Sequence, residues 1–217
     1  MRIGIGIHGV STVPTAIYFN HLARMGSWMK WAVAEGHSLA MVAVDRTIVS
    51  RAREKIVKDL LELECDYWLS LDTDHVVPVE LLPELFKLFP GPAMASGLIN
   101  KRVYPFEPVV YGLVDAGNGE KMFMGLQIDH HTGVHEVDGC AFGCTLIDLK
   151  KTEALPTPRF RDTSKGRSDL NLCKAFREKG ERVLVNSDIM VGHLAQPYPV
   201  TPDTVEERRA RVIERMT

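Results

Sequence analysis

The sequence predicts an α/β fold with a mostly parallel sheet and a smaller antiparallel part in its second half. Two observations carry this. Over roughly the first 100 residues, short apolar runs alternate with helical patterns, the order that builds a parallel sheet covered by helices on both faces. After that the apolar runs shorten and are separated by turn residues, as antiparallel strands are.

Residues 2–7 make the first strand. Residues 15–35 carry Ile17, Leu22, Met25 and Met29 among polar side chains and predict a helix ended by Gly36. The run 38–44 is almost wholly apolar, as a buried parallel strand should be, and stops at Asp45-Arg46. Residues 50–63 place Ile56, Leu60 and Leu63 at helical spacing. A strand over 67–71 then runs into Asp72-Thr73-Asp74, and a short helix over 78–88 and an apolar strand over 93–98 follow.

In the second half, 109–113, 122–128 and 134–137 predict short antiparallel strands, while 141–149 suits a strand or a helix. Residues 156–167 predict a loop rich in Pro, Arg, Lys and Gly. Residues 168–179 predict a helix with Ser168 as its N-cap. Strands over 182–185 and 189–191 end at Gly192-His193, and a charged amphipathic helix over about 203–216 closes the chain. With no repeat, low-complexity stretch or linker, 1–217 is expected to be a single domain.

The bulk numbers exclude more than they assign. With 217 residues, 45% hydrophobic and 25% charged, the chain has the balance of a globular domain with a sizeable core. A net charge of -2 gives no global attraction to nucleic acid or membrane. No apolar run approaches the roughly 18 residues of a membrane span, so no membrane partner is expected. The first residues lack the apolar stretch of a signal peptide. Cys65, Cys140, Cys144 and Cys173 show no disulfide spacing, so free thiols and a cytoplasmic location are expected, the host cytoplasm if the source is viral. Cys140 and Cys144 with His130, His131 and His135 do not match a familiar zinc spacing.

The chemistry concentrates at Asp72 and Asp74. Two carboxylates at the end of a buried strand are costly unless a cation or a phosphate-bearing ligand uses them. Ligands of parallel sheets bind outside the carboxyl ends of the strands, which here are 8–11, 45–46 and 72–74.

Four ordered features resemble the GT-A glycosyltransferases, especially their small phage and bacterial members with an Asp-x-Asp motif. They are Asp72-Thr73-Asp74; Ala52-Arg53-Glu54, similar to the family's Ala-Arg-Asn; the glycine-rich segment 137–147; and Ser168-Asp169 with Gly180, the strand 183–186 and Val191-Gly192-His193. The resemblance spans roughly residues 3 to 195 and implies a GT-A-like Rossmann-type sheet. It implies a metal-dependent transfer of sugar from a nucleotide-diphosphate donor, a UDP-sugar favoured, to an acceptor hydroxyl. Mn²⁺ or Mg²⁺ would be held by Asp72, Asp74 and His193, with His75 structural or outside the ligand set. Asp169 would be the base of an inverting reaction, although Ser168 replaces the family's Glu. His8, Ser11, Asp45, Arg53 and Asp72 would bind the nucleotide sugar, and Lys101, Arg102, Asp138 and Gly139 would line the sugar or acceptor side.

The acceptor is left open between a glycan, a small molecule and a hydroxymethylated base in DNA. Arg159, Arg161, Lys165 and Arg167 suit either a loop that closes over the diphosphate or a grip on a polyanion. A nucleotidyltransferase is the competing enzyme, but residues 9–14 lack the basic loop it normally shows. A degenerate, non-catalytic nucleotide-sugar-binding domain is the competing non-enzyme.

Overall fold

The structure, a computed structural model, describes residues 1–9, 13–45, 47–117, 119–163, 167–195 and 198–200. The expected C-terminal helix and Ser11 lie outside the described residues. The elements are β1 (Arg2–Gly9), α1 (Thr15–Ala34), β2 (Ser38–Asp45), α2 (Val49–Glu62), β3 (Tyr67–Asp72), β4 (His75–Val76), α3 (Leu81–Phe86) and β5 (Met94–Ile99). They continue with β6 (Val110–Asp115), β7 (Lys121–Gly125), β8 (Val134–Val137), β9 (Gly139–Cys140), β10 (Cys144–Asp148), α4 (Leu149–Glu153), α5 (Ser168–Glu178), β11 (Val183–Ala195) and β12 (Tyr198–Val200).

The main sheet has the order β12-β11-β5-β10-β3-β1-β2, and β7-β6-β9 form a small antiparallel sheet. β1 pairs parallel with β2 and β3, and β5 with β11. The fold is therefore mixed α/β with a mostly parallel central sheet. One detail departs from the expected run of parallel neighbours: β10 lies antiparallel between β3 and β5. The ambiguous stretch 141–149 is thus a central strand that passes into α4, whose start Asp148 caps by accepting from Lys151 N. β8 is antiparallel as expected but joins the main sheet beside β11.

The two expected strands 182–185 and 189–191 are one long strand, β11, whose register slips between Asn186 and Met190. β11 pairs with β5 on both sides of the slip, and its end pairs with β4 and β12, where His193 faces His75.

Helices cover both faces. Ile56, Val57 and Leu60 of α2 pack with Leu172, Cys173 and Phe176 of α5 on one face. Trp28 of α1 and Leu81, Leu82 and Leu85 of α3 cover the other, over Ile3, Ile5, Leu69 and Leu71. Gly4 and Gly6 make the first face possible. A Cβ on Gly4 would meet Leu60 Cδ2 at 2.3 Å, and one on Gly6 would meet Trp68 Nε1 at 2.3 Å and Ile56 Cγ2 at 2.5 Å.

The apolar residues of α1 divide between an inward and an outward direction. Leu22 and Met29 are exposed, while Ile17, His21, Trp28 and Ala32 face inward. Polar and aromatic side chains at four-residue spacing decide this. Asn20 Nδ2, Arg24 Nε and Trp28 Nε1 donate to Val77 O, Val77 O and Val79 O, and Asn20 Oδ1 accepts from Val77 N. A buried hydrogen bond left unmade costs about 1–3 kcal/mol, so satisfying the irregular segment after Asp74 outweighs burying two more apolar side chains. Ser168 also differs: it is the first helical residue of α5, and Arg167 holds the cap position.

Replacing Gly6 by Ala is expected to destabilise the fold by about 1–3 kcal/mol through overpacking against Trp68 and Ile56. The check is a fall in the urea midpoint at unchanged slope.

Candidate metal and nucleotide site

Sheet register brings the first candidates together. His8 lies beside Asp72, and Gly9 beside Asp45, at the carboxyl ends of β1, β2 and β3. His8 Nε2 is 3.3 Å from Asp72 Oδ1. Burial pushes the His8 imidazole below its ordinary pKa, and the Arg53 guanidinium adds to this against the opposing pull of Asp72. His8 is therefore neutral at pH 7 and can bond a ligand without competing for its charge.

Asp74 addresses a neighbouring point. Its Oδ2 is 3.1 Å from Arg102 Nη1 and 3.5 Å from His193 Nε2, and its Oδ1 is 2.9 Å from His75 Nδ1. Burial alone would raise the Asp74 pKa, but the imidazoles of His193 and His75 overrule it and hold the carboxyl well below the usual range. The group is an anion at any physiological pH.

His75 departs from its expected place outside the ligand set. The chain turns at Thr73-Asp74 before β4, which breaks the two-residue alternation, so Asp74 and His75 face the same point. The His75 ring stacks on His193 with centroids 4.4 Å apart. It is almost fully buried, and neither ring nitrogen has an aligned hydrogen-bond partner. Asp74, His75 and His193 each offer a ligand atom, and these lie within 4.8 Å of one another. Asp72, expected in that set, stands outside this cluster, beside His8.

The group fits a divalent cation. His193 Nδ1 donates to Asn100 O over 2.8 Å, which orients the ring with Nε2 toward Asp74. One carboxylate and two imidazoles, one of them almost fully buried, suit Mn²⁺ better than Mg²⁺. Asn100 is a contributor that sequence reasoning did not find, because its role is carried by a backbone carbonyl.

On the α2/α5 side, Arg53 is buried to 5% exposure. Its Nη1 donates to Ser168 Oγ over 2.9 Å and its guanidinium lies 4.8 Å over the Phe142 ring. Among the described residues it has no carboxylate partner, and its Nε has no hydrogen bond. An uncompensated buried cation is expensive, which marks this side of the site as receptive to an anion. Asp169 follows Ser168 in the first turn of α5, where its Oδ1 accepts from Leu170 N.

The remaining expectations divide. Arg102 reaches Asp74, but Lys101 is held by Glu107 at 2.6 Å. Asp138 accepts from Leu113 N and Arg177 Nε, tying β6 to α5. Gly139 packs tightly, since a Cβ there would meet Leu170 and Phe123 at 2.9 Å. Both have structural work that does not require a ligand. Arg159, expected on a free loop, is pinned to Glu54 of α2, and Arg161 Nε bonds Pro158 O. All four cysteines are free and buried.

No family model and no curated protein sequence matches the chain. Solved structures do. A197 from STIV superposes with a TM-score of 0.60 at 19% identity, over 94% of this chain and 91% of that one. GalNAc-T7, solved with UDP, GalNAc and Mn²⁺, superposes with a TM-score of 0.53 at 10% identity. The match covers 90% of this chain and 44% of GalNAc-T7. At these identities the likeness is one of fold: the chain shares a mixed α/β architecture with these structures, consistent with a GT-A-like fold. No helix among the described residues is long and apolar enough to cross a membrane.

Gly143 tests the geometry. A Cβ at this position would meet His75 Cε1 at 2.4 Å. Gly143→Ala is expected to displace the His75 ring and weaken Mn²⁺ binding at least tenfold in calorimetric titration, with the far-UV circular dichroism retained.

Proposed function

We propose that the protein is a metal-dependent glycosyltransferase that moves a sugar from a UDP-sugar to an acceptor hydroxyl. The observation that carries this reading is the convergence of Asp74, His75 and His193 beyond the carboxyl ends of the strands, in a fold shared with an enzyme solved with UDP, GalNAc and Mn²⁺. Asp74, His75 and His193 would hold Mn²⁺, which when bound would supply positive charge against the charge that builds on a leaving diphosphate.

The chain's own residues do the rest. His8 and Asp45 border the space where a nucleoside lies against the ends of β1 and β2, and Asp72 bonds the ribose. Arg53 supplies a fixed, desolvated positive charge on the phosphate side, held by Phe142 and Ser168 rather than neutralised by a carboxylate. Arg102, more than half exposed, is free to leave Asp74 and follow the diphosphate. Asp169 accepts the proton of the acceptor hydroxyl as that oxygen bonds the anomeric carbon and the bond to the diphosphate breaks, which inverts the centre. Asp169 stands on the helix that Arg53 grips through Ser168, so the base is tied to the phosphate side of the site.

The test is a thermal-shift panel of nucleotide sugars, each with and without Mn²⁺, followed by turnover assays against glycans and hydroxymethylated DNA. A UDP-sugar is expected to stabilise only with the metal, and Asp74→Ala to abolish that shift. Asp169→Asn is expected to keep the shift and lower kcat by about 10²–10⁴. No metal-dependent shift with any nucleotide contradicts the reading. A shift without turnover in any acceptor assay makes the chain a binding domain instead.

A further inference from the structure

Among the described residues, nothing covers the apolar outer face of α1. Besides its inward stripe, α1 carries a second one, Tyr18, Leu22, Met25, Met29 and Val33, at three- and four-residue spacing. A helix apolar on both sides belongs in an interior. Yet Tyr18, Leu22 and Met29 are more than half exposed, and Val33 is 77% exposed. The bonds from Asn20, Arg24 and Trp28 fix the inward side of α1 on the segment after Asp74 and leave the outer stripe turned away from it. A wedge of about 640 Å³ lies between α1 and a sheet floor that includes Ile5, Ile7, Leu39 and Met41.

The same edge has a second vacancy. β2 is the last strand of the main sheet, and among the described residues nothing pairs with its outer side. It matches β1 over eight residues with no register shift. Between Ser38 and Val44 it carries no charged residue and no Pro, and Met41 is 63% exposed. Natural edge strands are normally guarded by Lys, Pro or a bulge against pairing with another chain. An alkyl chain would fill the wedge but could not use the free N–H and C=O groups of β2. A polypeptide uses both.

We infer that this face is a two-fold interface between copies of this chain. An axis perpendicular to the sheet beside β2 sets β2 antiparallel to the second copy's β2 and continues the sheet. The same axis keeps both α1 helices on one face of the joined sheet and opposes their outer stripes. The surface is thus complementary to itself, as a two-fold contact requires. With Phe19, the exposed apolar side chains of α1 and β2 offer on the order of 700 Å² per copy, near one partner's share of a standard-size interface. The interface is independent of the glycosyl-transfer reading.

Sedimentation equilibrium of the full chain tests this. The expected result is a dimer with micromolar or tighter affinity. Met41→Lys with Val33→Glu, both at exposed positions, is expected to raise the dissociation constant at least tenfold with unchanged circular dichroism, and Tyr18→Glu to do so from the helix side alone. A chain that stays monomeric at micromolar concentrations overturns the proposal. So does a dimer that these substitutions leave unmoved, because it would be built on another face.

Discussion

The site depends on one strand running against its neighbours. β10 enters antiparallel between β3 and β5, and the residue just before it, Gly143, accepts a hydrogen bond from Asp72 N over 3.0 Å. The same glycine leaves the space that the His75 ring occupies. One residue without a side chain thus fixes the end of β3 and admits an imidazole under the acidic turn. From there the order follows: His75 stacks on His193, both flank Asp74, and Asn100 O sets the orientation of His193.

A second constraint holds the turn from the other side. The α1 helix gives up burial of Leu22 and Met29 to bond the main chain at Val77 and Val79, and His21 Nε2 donates to His75 O over 3.1 Å. The segment carrying His75 is therefore clamped between α1 and Gly143. Such rigidity suits a metal site, whose ligands must be held close to their final geometry before the ion arrives. The cost appears at the sheet edge, where among the described residues apolar side chains of α1 and β2 are left exposed.

Much of this was legible in the sequence, for physical reasons that can be named. The strands β3 and β5 announce themselves as continuous apolar runs because they are buried on both faces, whereas β2 carries the same kind of run although it is a partly exposed edge strand. The acidic motif stands out because carboxylates are costly at a strand end. What escaped is what tertiary contacts decide. The direction of β10 and its insertion between β3 and β5 leave no mark in local hydropathy. The outward turn of Leu22 and Met29 could not be read from periodicity, because α1 is apolar on two sides and polar bonds choose between them. The approach of His75 to Asp74 is not legible either, because the turn at Thr73-Asp74 breaks the strand alternation. The adjacent pair Phe142-Gly143 was the available hint, since a bare residue next to a strand end marks a close approach.

The proposed function rests on Asp74, His75 and His193 acting as a divalent-cation site. The most direct measurement is an anomalous difference map at the manganese edge from crystals of the full chain grown with Mn²⁺ and UDP. A single strong peak within coordination distance of the Asp74 carboxylate and His193 Nε2, with UDP density between it and β1, is the predicted result. No peak, or a peak away from these three side chains, would contradict the account.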